Sequence, residues 1–156
     1  MISFNIPSIG DIELENAVFD LNGTIALNGV IPEDVRSKLN TLSHNLNVYV
    51  LTADTYGTAQ KIVSGLNAEI ARITPVDEPQ KKRDFILHLG KKKTVAVGNG
   101  ANDILMLLDA RIGIAIIGKE GASTEAVGNA DIVVNSALDA IDLLLYPMRI
   151  ISTLRR

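Results

Sequence analysis

The chain has 156 residues, enough for one domain with its own core over 1–156. Its 18 acidic and 15 basic side chains give a formal charge of −3, so it lacks the basic surface that a general nucleic-acid binder needs. The absence of cysteine excludes a disulfide framework and a thiolate metal site, and two scattered histidines, His44 and His88, are too few for a histidine cluster.

The opening stretch, ISFNIPSIGDIELEN, predicts a short β-hairpin around the turn at Ser8 to Asp11. Asn5, Pro7, Asp11, Glu13 and Glu15 interrupt it too often for a secretion signal. AVFD (17–20) predicts a buried strand, and 33–45 a helix with Val35, Leu39 and Leu42 on one face and Pro32 at its start. Strand 47–52, helix 55–66, strand 69–74, a helix near 78–89 and strand 94–98 follow. The remainder predicts a helix near 101–109, strand 111–117, a short helix near 122–128, strand 131–134 and a final helix from about 137. The longest apolar runs, such as IGIAIIG (112–118), fall far short of the roughly 20 residues of a spanning helix, so a cytoplasmic protein without membrane contact is expected.

Alternating strands and helices, in a chain that is 47% hydrophobic but only 4% aromatic, point to a mostly parallel α/β sheet covered on both faces. Ligands of such sheets sit outside the carboxyl ends of the strands. The polar residues there are Asp20 and Asn22, Thr52 and Asp54, and Asn99, Asn102 and Asp103. Taken singly, each has a structural reading as a turn or helix-cap residue. Together they suit phosphoryl transfer. A carboxylate at Asp20 can attack phosphorus, Thr52 and backbone N–H groups can hold phosphate oxygens, and Asn99 and Asp103 can help bind magnesium, which prefers oxygen ligands. A lysine of the 78–89 helix, Lys81 or Lys82, would balance the charge. The basic run KKRDFILHLGKKK otherwise reads as a solvated helix face, with His88 on its surface.

DLNGT (20–24), LTAD (51–54), a lysine near 82 and GNGANDILML (98–107) resemble, in order, the four motifs of the haloacid dehalogenase superfamily. The likeness is greatest to the phosphorylation domain of P-type ATPases, which carries D-K-T-G-T and G-D-G-x-N-D. GIAIIGKEGASTEAVGNADIVV (113–134) is similar to the stretch that closes that domain. ITPVDEPQKKRDFILHLG resembles its lysine-bearing helix, where the spacing of Phe85, Ile86 and Leu89 favours Lys82 over Lys81. The resemblance implies a Rossmann-like, doubly wound sheet, and the chain leaves no room for the cap domain that many relatives carry. It also implies Asp20 as nucleophile and magnesium ligand, the Asn22 carbonyl as a second ligand, Thr52 and Lys82 as phosphate holders, and Asp103 in the acidic cluster near the metal.

Two positions depart from that pattern. Asn22 stands where phosphatases of the superfamily have an acid–base Asp, a group worth about 10²–10⁴-fold. Asn99 stands where the family has a metal-binding Asp, so one negative charge is gone. The expectation is a slow Mg2+-dependent phosphohydrolase or phosphotransferase, acting through phospho-Asp20 on a phosphorylated small molecule or an exposed phosphoryl group. The alternative is a phosphate-binding or regulatory domain that kept the fold and lost turnover. An uncapped site also suits a homo-oligomer that completes it, and partnership with a metal-transport system is a third reading by fold analogy alone.

Overall fold

The computed structural model describes residues 1–54 and 57–156. Its N-terminus is an antiparallel hairpin of β1 (Ile2–Ile6) and β2 (Gly10–Leu14), turning as expected near Ser8 to Asp11. Ile6, Ile12 and Leu14 are buried and join the main core.

The rest is a six-stranded parallel sheet. Its strands are β3 (Asn16–Asp20), β4 (Asn47–Thr52), β5 (Glu69–Arg72), β6 (Thr94–Gly98), β7 (Ile112–Ile116) and β8 (Ile132–Val134), in the order β5-β4-β3-β6-β7-β8. From β3 the chain winds outward through β4 and β5, then returns to lay β6 on the other side of β3. The order therefore reverses between β3 and β6, and the loops after these two strands open onto that crevice. β3, β6 and β7 are buried along their whole length, which fits their continuous apolar runs.

Side-chain alternation sorts the core into two layers. Ala17, Phe19, Val95 and Val97 belong to one, with α1 (Glu33–Leu42), α6 (Ala137–Leu145) and α7 (Met148–Leu154) contributing Leu39, Ile141 and Ile150. Val18 and Ala96 point the other way, against Ile86 of α3 (Glu78–Leu89), Met106 and Leu107 of α4 (Ile104–Asp109) and Ala126 of α5 (Thr124–Asn129). Burial of each such Leu, Ile or Phe is worth about 1.5–3 kcal/mol. Two residues beyond Val18, Asp20 shares its direction toward α3. One helical turn before Ile86, Lys82 lies on the same buried face of α3.

Several boundaries differ from expectation. The final helix is two helices, because Pro147 follows Tyr146 and cannot continue the hydrogen-bond ladder. The 101–109 helix begins as a 3₁₀ turn at Ala101–Asp103. In place of helix 55–66, α2 spans only Thr58–Ile62, ending just before the turn at Gly65, where φ is 77°. Residues 55 and 56 of that expectation lie outside the described residues. The strand expected at 69–74 stops at Arg72, and the helix expected near 122–128 runs from Thr124 to Asn129.

Candidate active site

A polar cavity of about 570 Å³ opens at the carboxyl end of the sheet, where the strand order reverses. Asp20, Asn22, Thr52, Asp54, Glu78, Asn99, Asn102 and Glu120 line it. Asp20 ends β3, Thr52 ends β4, and Asn99 follows β6, so three parallel strands deliver their polar ends to one place.

Lys82 is the pivot of the site. Its side chain is 0% exposed, and its ammonium lies 2.7 Å from Asp20 Oδ1, 2.7 Å from Asp103 Oδ1 and 3.1 Å from Glu78 Oε1. Lys81, the alternative, is exposed on the other face of the helix. Burial disfavours the charge of Lys82, but the carboxylates of Asp20 and Asp103 outweigh it and raise its pKa. Asp20 is 7% exposed. Burial, with help from the charge of Asp103, pushes its carboxyl up to about 7, while Lys82 pulls in the opposite direction.

Asp103 is fully buried, and both of its oxygens are engaged. Oδ1 accepts from Lys82, and Oδ2 accepts from the backbone N–H groups of Asn99 and Gly100 at 2.9 Å. It thus sits behind Lys82 and fixes the strand-to-helix turn from within, a role that the turn's chemistry alone would assign to Asn99. Gly98 makes room for it, since a Cβ there would stand 2.5 Å from Asp103 Cγ. Asn22 is exposed at the rim of the cavity. Thr52 Oγ1 accepts from the N–H of Asp54 at 3.1 Å. Asp54 Oδ2 accepts from Thr58 Oγ1 and the Ala59 N–H at the start of α2, so it satisfies the first turn from outside the helix, while the N-cap position itself is Gly57.

The chemistry of the donors bears on magnesium. Asp20 Oδ2 and Asn99 Oδ1 lie 3.3 and 3.2 Å from the same hydroxyl, Thr24 Oγ1, so two oxygen donors converge at the cavity wall. An all-oxygen set with few protein ligands fits a hard cation that keeps several waters. Among the described residues, no group of three or more His, Cys, Asp or Glu side chains is arranged to hold a metal by itself. Any such site must therefore use neutral oxygens, as the set of Asp20, Asn22, Asn99 and Asp103 supposes.

Sequence reasoning missed Glu78 and Glu120 as cavity residues, and it named Asn102 among the strand-end polar residues without giving it a role. Asn102 Nδ2 donates to Glu78 Oε1 at 2.7 Å. A signal for Glu78 was present, because it lies four residues before Lys82 on the same helical face. Glu120 comes from the loop after β7, and no local pattern marks it.

No family model matches the chain. An uncharacterized protein of Methanocaldococcus jannaschii is 40% identical over 87 residues, which are 56% of this chain and 87% of that protein. The copper-exporting P-type ATPase of Staphylococcus epidermidis is 36% identical over 135 residues, 83% of this chain but only 16% of the ATPase. Among solved structures, a Legionella pneumophila protein assigned to HAD-superfamily hydrolases, subfamily III A, superposes with a TM-score of 0.72 at 14% identity, covering 90% of this chain and 87% of that one. The 3-deoxy-D-manno-octulosonate 8-phosphate phosphatase of Moraxella catarrhalis, solved with magnesium, phosphate and KDO, gives 0.69 at 12% identity, covering 85% and 86%. At these identities the structural matches show the fold alone. Among the described residues, no helix is long and apolar enough to cross a membrane.

Proposed function

We propose that the chain, which has the fold of the haloacid dehalogenase superfamily and is homologous in part to the phosphorylation region of P-type ATPases, is a slow, magnesium-dependent phosphohydrolase or phosphotransferase acting through phospho-Asp20. One observation carries this reading: the carboxylate that ends the central strand lines an open polar cavity while a fully buried lysine holds it from behind.

Asp20 attacks the phosphorus of a phosphomonoester, forming an O–P bond as the bond to the leaving oxygen breaks. The amide of Asn22 has no acidic proton to give, so the leaving group departs as an anion and takes its proton from water. Acyl and aryl phosphates, whose leaving groups tolerate this, are therefore the favoured substrate class. Water then attacks the acyl phosphate, releasing inorganic phosphate and restoring the Asp20 carboxylate, again without a carboxylate base at position 22. Lys82 offsets the like-charge repulsion between Asp20 and the incoming phosphoryl group, and the Thr52 hydroxyl and the backbone N–H groups after Asp20 donate to its oxygens. Magnesium, held by Asp20, the Asn22 carbonyl and Asn99, would neutralise charge on the transferring group.

The amides at Asn22 and Asn99 favour a second reading, a phosphate-binding or regulatory domain without turnover. Hydrolysis of an aryl phosphate with and without magnesium separates the two. The enzyme reading expects weak wild-type activity, abolished in Asp20→Asn and increased about 10²–10⁴-fold in Asn22→Asp. Activity unchanged by Asp20→Asn would end it, and silence even in Asn22→Asp would favour the binding domain.

A further inference from the structure

The cavity has a charge deficit. Asp20 shares its carboxylate with the Lys82 ammonium, Asp103 is turned inward, and Asn99 brings a neutral amide. A divalent cation is held more tightly as ligand charge increases. The loop after β7 carries the missing carboxylate. Glu120 lines the cavity beside Asn99 and rests over Gly23, where a Cβ would collide with its Oε2 and stand 2.9 Å from Asn99 Nδ2. Gly23 thus leaves a cradle over the nucleophile loop that the Glu120 carboxylate fills.

Asn99 itself holds that loop in place. Its Nδ2 donates to the Gly121 carbonyl at 3.1 Å, and its own carbonyl accepts from the Ser123 N–H at 2.8 Å. The loop is pinned on its other side by the Ile117 and Gly118 N–H groups, which donate to Val134 and Asn135. An aspartate at 99 would have no proton with which to bond Gly121. The amide therefore surrenders a charge and gains a donor, and the donor positions a second carboxylate beside it.

We propose that Glu120 is the second carboxylate of the divalent-cation site, delivered by the Asn99–Gly121 hydrogen bond and replacing the charge that Asn99 does not supply. The inference rests on the reading of the cavity as a magnesium site. It explains how an amide at position 99 is compatible with metal binding, and it adds one charged ligand from the β7 loop to those already named.

The test is magnesium binding by titration calorimetry on the whole protein without substrate. Glu120→Gln weakens binding by roughly tenfold or more, whereas Glu125→Gln, on the exposed face of α5, leaves it unchanged. In an Asn99→Asp background, where the charge is restored locally, Glu120→Gln costs less than about threefold, because the two positions are coupled. Equal affinity of the wild type and Glu120→Gln overturns this inference alone. A wild type that binds no magnesium overturns the metal-dependent reading with it.

Discussion

Replacing Lys82 with Met keeps most of the apolar stem and removes only the charge. The ammonium contacts Asp20 and Asp103 at 2.7 Å each, and neither Lys82 nor Asp103 reaches solvent. Loss of one partner of a buried ion pair costs about 3–5 kcal/mol when the other stays charged. Here one partner has an escape, because Asp20 can take a proton. In the wild type its pKa rises from 3.8 unfolded to about 7 folded. The folded state therefore binds more protons, and stability declines as pH rises from about 4 through about 7, then levels. Lys82 pulls that pKa down, so its removal raises it further and the decline continues above 7. The gap between wild type and Lys82→Met should be about 2 kcal/mol at pH 5, where Asp20 is neutral in both. It should widen to about 3 kcal/mol at pH 8, because one pH unit above the wild-type Asp20 value limits the added cost to about 1.4 kcal/mol, or roughly 9 °C in Tm. Urea unfolding at the two pH values measures it. A gap that stays constant or narrows with pH would refute the argument that Lys82 compensates the Asp20 charge.

Further outcomes follow from the same geometry. Gly98→Ala should destabilise by about 1–3 kcal/mol in urea titration, since the new methyl must displace the buried Asp103 carboxyl; Gly128→Ala, where a Cβ on α5 meets nothing, should be neutral or stabilising by up to about 1 kcal/mol. Aryl phosphate hydrolysis should rise with pH as Asp20 ionises, with a midpoint near 7 at low magnesium. Saturating magnesium should move that midpoint downward, because a bound cation favours the ionised carboxylate; a midpoint that ignores the metal would count against Asp20 as a ligand.

What the sequence made legible is what local pattern encodes. β4, α3 and β6 emerge with the expected limits because each is an unbroken periodic or apolar run between turn residues. The expectation that Lys82 rather than Lys81 faces inward rested on the helical spacing of Phe85, Ile86 and Leu89, and the buried stripe of α3 runs that way. The break at Pro147 was visible as a proline and overlooked within a long apolar tail. The role of Asp103 was harder to see. Its two backbone hydrogen bonds accompany the 3₁₀ turn at Ala101–Asp103 and need the space left by Gly98, a three-dimensional fit that no local pattern spells out. Glu120 belongs to the least legible class. It reaches the cavity because β7 lies beside β6 in the sheet and because Gly23 lacks a side chain, and neither fact is local to it.

The strand order also dictates when the protein can become itself. Asp20 meets Lys82 across 62 residues, and Thr24 meets Asn99 across 75. During synthesis β3 can pair with β4 early, but its other edge stays bare until β6 has left the ribosome. Closing so long a loop is slow, and an apolar strand with one open edge is a template for pairing with another chain. Asp20 therefore sits on a strand with one open edge while the chain is being made. Lys82, which neutralises Asp20 in the finished fold, arrives about a dozen residues before the strand that seals it. A pulse of proteolysis on nascent chains halted before residue 98, and far enough beyond it for β6 to clear the exit tunnel, would show protection of β3 only in the longer ones.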